Sequence, residues 1–280
     1  MCDSILLRNG CSLCLRRYHE PSAKLITGPF SANATLINGL GRYGGGPPSP
    51  LAVIKVEQEK RYRFRIVGAS CDPWFNFTID GHLMTVIETD GIETEPLIVD
   101  SLAVYPGQRY SVVVTASQTV GNYWIRALSN HPNQTFDDGQ SSAILRYAGA
   151  PEQDPTTEHG PYVLPYDEGD VRPLISPGAP GVPEPGRADV NINLIPGLTQ
   201  GHFTINGVPY SDPSLPVLLQ ILGGDRNSSQ FLPNGTVYVL PYGKVIEISM
   251  PATELSPGGA IGGPVSLCLN FSARHSHGLV

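Results

Sequence analysis

RYRFRIVGASCDPWFNFTIDGHLMTVIETDG, residues 61–91, opens on a strict alternation. Arg61, Arg63 and Arg65 take turns with Tyr62, Phe64 and Ile66. Successive side chains of a strand point to opposite faces, so this period of two predicts a half-buried β-strand with a charged outer face. The stretch continues as two further strand candidates, 75–79 and 83–88, broken by Asp80-Gly81 and closed by Asp90-Gly91. Asp-Gly pairs supply the positive φ angles that tight hairpin turns need. Strand, turn and strand at a spacing near ten residues indicate an all-β sandwich or barrel.

The same grammar extends in both directions. Strand candidates precede the stretch at 34–38 and 51–56 and follow it at 98–104, 109–115, 121–127 and 142–147. Asn38-Gly39, Pro106-Gly107 and Asp138-Gly139 mark further turns. Residues 151–187 are rich in proline and read as an ordered or semi-extended connector that holds no core of its own. Strands are then predicted at 188–194, 202–206, 216–222, 236–240 and 244–250.

Composition narrows the function. The 280 residues carry a formal net charge of -7 and no basic stripe, against nucleic-acid binding. No apolar run is long enough to span a bilayer. The 31 glycines and 27 prolines fit a chain with many turns. Asn-x-Ser/Thr sequons at Asn33, Asn76, Asn133, Asn227, Asn234 and Asn270 favour a secreted, glycosylated protein, although residues 1–20 lack the pattern of a signal peptide. The five cysteines are an odd number, leaving at least one thiol without an intramolecular partner. Cys11 and Cys14 form a C-x-x-C with no second ligand pair in sight.

An internal echo divides the chain. ATLINGLGRY (34–43) resembles HFTINGVPY (202–210), and each is followed by a strand, a polar turn with a lysine (Lys60, Lys244) and another strand. This predicts two copies of one β-fold. The second copy stops early, which would leave half a sandwich with unpaired edges.

Beyond these patterns, NATLINGLGRYGGGP, EKRYRFRIVGASCDP, FTIDGHLMTVIETDGIETEPLIVDSLAVYPGQRYSVVV, VGNYWIRA, SSAILRYAGA, FTINGVPY and PVLLQILGG resemble the fungal laccases, which are blue multicopper oxidases. The resemblance covers residues 18–264 and implies cupredoxin-like Greek-key domains: a complete second domain (18–150), the connector (151–187) and a partial third domain (188–264). Segments 1–17 and 265–280 fall outside it, as though the family pattern were cut at both ends. The family oxidises phenols one electron at a time and reduces O2 to water with four coppers. Phenolic small molecules and O2 are therefore the implied partners, with no nucleic acid and no membrane, and lignin or phenol degradation outside the cell is the implied setting.

The resemblance assigns substrate contacts to Asp72, Phe136 and Phe203. The matching carboxylate accepts a hydrogen bond from the phenol hydroxyl and takes its proton as the electron leaves. The two aromatics match apolar pocket walls. Cys71 matches a cysteine whose disulfide partner lies in the first domain, which this chain does not contain. His82 matches a histidine that binds no copper. The family's four His-rich ligand motifs have no counterpart here, so the expectation is a chain that binds no copper and is inactive alone. His275 and His277 of ARHSHGLV, with Cys268, have the letters of a metal site without the family's setting. The alternatives are a copper-free β-domain serving as a binding module, and a small copper or zinc binder built on that tail.

Overall fold

The computed structural model describes residues 2–9, 34–70, 74–130, 135–175, 181–182, 184–199, 202–210, 213, 215–224, 236–250 and 269–271. The chain divides into two compact units, residues 1–176 and 177–280.

The first unit is all β. In chain order its strands are β1 (Cys2–Asn9), β2 (Thr35–Ile37), β3 (Val53–Val56), β4 (Arg61–Gly68), β5 (Phe75–Ile79), β6 (Met84–Thr89), β7 (Ile92–Val99), β8 (Ser101–Val104), β9 (Arg109–Thr115), β10 (Asn122–Ser129) and β11 (Ser142–Tyr147). They form a six-stranded sheet, β2-β1-β4-β9-β6-β7, and a five-stranded sheet, β3-β11-β10-β5-β8. The two sheets share one core, with Phe64, Ile66, Val86 and Val112 from the first against Phe75, Phe77, Ile125 and Leu145 from the second.

The alternation in 61–67 is realised. Tyr62, Phe64 and Ile66 are buried, while Arg61 and Arg65 face solvent. Arg63 stays half-exposed and binds the Glu88 carboxylate, which also accepts from the Ser111 hydroxyl at 2.7 Å. Asp90 and Gly91 take φ of 50° and 86°, the positive pair that a tight β6–β7 hairpin requires.

Two sequence expectations change here. The strand foreseen at 98–104 is two strands: β7, which begins at Ile92, and β8, which are divided at Asp100. IETEPLIV hides β7 because its glutamates and proline dilute the apolar alternation, and edge position tolerates both. Segment 1–17 lay outside every structural expectation, yet β1 fills the gap between β2 and β4. It pairs parallel to β4 and antiparallel to β2, with Ile5 and Leu7 fully buried. Residues 163–173 of the connector are pinned to the first unit. The Asp100 carboxylate accepts from the backbone N–H groups of Val163 and Leu164, and Thr94 and Ser101 form bridges to Pro173 and Pro165. Residues 154–174 thus form a strap over the first unit.

The second unit contains β12 (Val190–Asn193), β13 (Pro196–Thr199), β14 (His202–Ile205), β15 (Val208–Pro209), helix α1 (Val217–Leu222), β16 (Ile246–Ser249) and β17 (Leu269–Phe271). Two three-stranded sheets result, β12-β16-β17 and β13-β14-β15. The expected strand at 216–222 is α1 instead. Leucine and glutamine favour helix, Leu219 donates back to the Pro216 carbonyl, and Gly223 and Gly224 end the turn. The expected strand at 236–240 is irregular backbone. Among the described residues of this unit only Thr204, Ile246 and Glu247 are buried.

Candidate functional site

Four consecutive residues of β10, Trp124 to Ala127, are buried, which breaks the alternation of a half-exposed strand. The reason is the strap, which covers the outer face of the second sheet. Arg126 points outward and is covered there. Its guanidinium grips Asp80 by two bonds, 2.8 Å to Oδ1 and 2.7 Å to Oδ2, and donates to the Thr157 carbonyl at 3.0 Å. Thr157 in turn donates its hydroxyl to Asp80 Oδ2 at 2.7 Å. Both charged side chains are 5% exposed, and a pair this dry persists because both Asp80 oxygens and the Arg126 Nε and Nη2 are hydrogen-bonded.

Phe136 sits on this clamp. Its ring centre lies 4.7 Å from the Arg126 guanidinium carbon, a cation–π contact. His159 stacks on the same ring at 5.4 Å and 18°, and Tyr162 meets His159 edge-on at 4.9 Å. Burial pushes the Tyr162 phenol above its ordinary range, and Asp100 and Asp80 add to this while Arg126 opposes it. Phe136, named from the sequence, therefore belongs to a cluster the sequence did not name: Arg126, Asp80, Thr157, His159 and Tyr162. An arginine in a strand opposite an Asp-Gly turn was the available signal.

Asp72 and Cys71 lie outside the described residues, as do Asn33, Asn133, Asn227 and Asn234. The neighbourhood that 71–73 leads into is described. Trp74 N–H donates to Asn130 Oδ1 at 3.2 Å, the Trp74 carbonyl accepts from Asn130 N–H at 3.1 Å, and the Trp74 ring stacks on Tyr105 at 5.6 Å. The start of β5 and the end of β10 thus form one end of the second sheet. Asn76 is half-buried on β5, between β10 and β8, paired with Leu128 and Ala103.

Phe203 lies on β14 of the second unit and is 68% exposed. It borders a cavity of about 460 Å³ with Leu194, Pro196, Ile205, Tyr210 and Tyr238. Asn206, at φ 52° in its Asn-Gly turn, holds this wall together. Its amide donates to the Asn193 carbonyl at 2.9 Å and the Tyr238 hydroxyl at 2.8 Å, and its Oδ1 accepts from Ile195 N–H. The Asn-Gly echo in the sequence thus marks a turn that also braces an aromatic cavity.

The described residues do not fit a copper site. No group of three His, Cys, Asp or Glu side chains converges among them. His82 is buried with both ring nitrogens engaged, Nδ1 at 2.8 Å from the Asp80 carbonyl and Nε2 at 2.6 Å from the Tyr147 hydroxyl. His159 stacks on Phe136 and meets Tyr162 edge-on, and His202 is exposed on β14. Cys268, His275 and His277 lie outside the described residues.

Residues 15–150 match the family model of the multicopper oxidases. Laccase-2 of Pleurotus ostreatus is 54% identical over 234 residues, which is 83% of this chain and 43% of that protein. Laccase-2 of Trametes villosa is 51% identical over 241 residues, 86% of this chain and 46% of its own length. The chain belongs to the multicopper oxidase family. It spans less than half the length of these curated relatives. Among solved structures, the multicopper oxidase Fet3p, which functions in iron import, aligns with a TM-score of 0.68 at 21% identity, covering 90% of this chain and 48% of that one. The laccase of Botrytis aclada aligns at 0.57 and 21% identity, covering 89% and 47%. At that identity these likenesses establish the all-β fold of this multicopper oxidase chain.

Proposed function

We propose that the chain supplies the middle cupredoxin-like domain (18–150), the connector (151–187) and part of the third domain (188–264) of a secreted, glycosylated laccase-type oxidase. The carrying observation is identity to fungal laccases above 50% over 234 residues, a run longer than either unit. The parent activity would be one-electron oxidation of phenols coupled to reduction of O2 to water. When bound, copper would carry the electrons. This chain would contribute substrate positioning: Asp72 accepting the phenol proton, with Phe136 and Phe203 as apolar walls.

His82 is committed to hydrogen bonds and His159 to ring contacts, which supports a chain that does not turn over phenols by itself. The 280-residue chain should bind well under one copper per molecule and oxidise no phenol above background. Copper quantification beside a phenol-oxidation assay tests this. A blue absorption band at stoichiometric copper would overturn the reading.

A further inference from the structure

Between the strap and the second sheet lies a cavity of about 180 Å³. Thr78, Asp80, His82 and Asp100 line it from the sheet side, and His159 and Tyr162 from the strap. Two buried polar atoms in this wall lack a hydrogen-bond partner: Thr78 Oγ1 and Asp100 Oδ1. Thr78 is only 5% exposed. Their backbones are neighbours, because Thr78 pairs with Ser101 across β5 and β8 and Asp100 precedes Ser101, and both residues line the same cavity. Buried polar groups without partners are rare and destabilising, so two on one cavity wall mark a place where a ligand completes the bonding.

The charges say which kind. Asp80 is neutralised by Arg126. Asp100 Oδ2 accepts only from the neutral N–H groups of Val163 and Leu164, and no lysine or arginine pairs with Asp100 among the described residues. One uncompensated carboxylate and one hydroxyl oxygen call for a cationic donor. A primary ammonium offers three N–H donors and no acceptor. Tyr162, which lines the cavity, adds an aromatic ring of the kind that attracts a cation. At about 30 Å³ per water-sized group, the volume takes a chain of a few heavy atoms.

We propose that this cavity binds a small primary alkylammonium ion, its ammonium group donating to Asp100 Oδ1 and Thr78 Oγ1. The site is independent of the oxidase reading. The test uses propylammonium chloride titrated into the full 280-residue chain, at ionic strength matched with sodium chloride, following the backbone amide resonances of Gly81, Leu83 and Gly160. Saturable shifts are expected, with propan-1-ol and sodium propanoate binding at least about tenfold more weakly. Asp100→Asn should weaken binding about tenfold and Thr78→Val about threefold or more. Should Asp100→Asn fail to fold, Thr78→Val decides alone, since it leaves the Val163 and Leu164 bonds in place. No saturation, equal binding of propan-1-ol, or unchanged affinity in Thr78→Val would overturn the proposal and leave the two oxygens to water.

Discussion

Arg126 is a charged residue on a β-strand with no water to face. Its attraction to Asp80 works at low local dielectric, and its remaining donors meet Thr157 and the Phe136 ring. Removing one partner strands the other charge. Arg126→Met should therefore cost about 3–5 kcal/mol in denaturant unfolding, and adding Asp80→Leu should recover most of that loss. A single-variant cost below about 1 kcal/mol would show that the clamp is open to water in solution. His82 makes a second prediction. Burial holds its imidazole below the ordinary 6.5, partly offset by its bond to the Asp80 carbonyl and by the Asp80 charge. The unfolded chain therefore takes up this proton first as pH falls. The His82 contribution is complete above 6.5 and drains away as pH drops through the folded-state value. Unfolding free energies between about pH 7 and pH 5 should decline in the parent and flatten in His82→Gln. An equal slope in both would remove His82 as the cause. The sequence alone gave no warning of either role. A charge on a strand face normally reads as exposed, and only the strap, distant in sequence, makes this face dry.

At the scale of elements, legibility followed amphipathic pattern. β4 could be read letter by letter because half of it is buried and half is not. β7 could not, since an edge strand keeps its polar residues without penalty. The strand expected at 216–222 was a helix because six largely apolar residues satisfy either period, and the two glycines after Leu222 favour a helix stop. β1 had no readable role, because its value lies in the slot between β2 and β4, which no local pattern reveals. Its buried residues make it testable. Ile5→Ala and Leu7→Ala should each lower the unfolding free energy by about 2–5 kcal/mol. Changes below about 0.5 kcal/mol at both sites would show that β1 is not seated in the sheet.

The molecule as a whole is uneven. The first unit closes a continuous core between two sheets, whereas the described part of the second buries little and leaves Leu218, Leu222, Val239 and Tyr242 largely exposed. Local stability tracks buried apolar contact, so the second unit should open first. Brief proteolysis under native conditions should cut within 177–250 while residues 34–150 survive, and amide exchange should be slowest at β4, β9 and β10. Equal cleavage of both units would contradict this. Family membership was legible from a handful of strand-and-turn motifs. The strap's clamp was not, because it joins β10 to residues some thirty positions further along the chain. The parallel pairing of β3 with β11 carries a last consequence, for synthesis rather than for the finished fold. Val53 meets Ile144, a partner 91 positions later (144 − 53). At about 5–20 residues per second on the ribosome, β3 waits roughly 5–18 s before the strand that covers its edge has been made. Throughout that interval Ile54 and Val56, buried in the finished sheet, have nothing on that side to lie against.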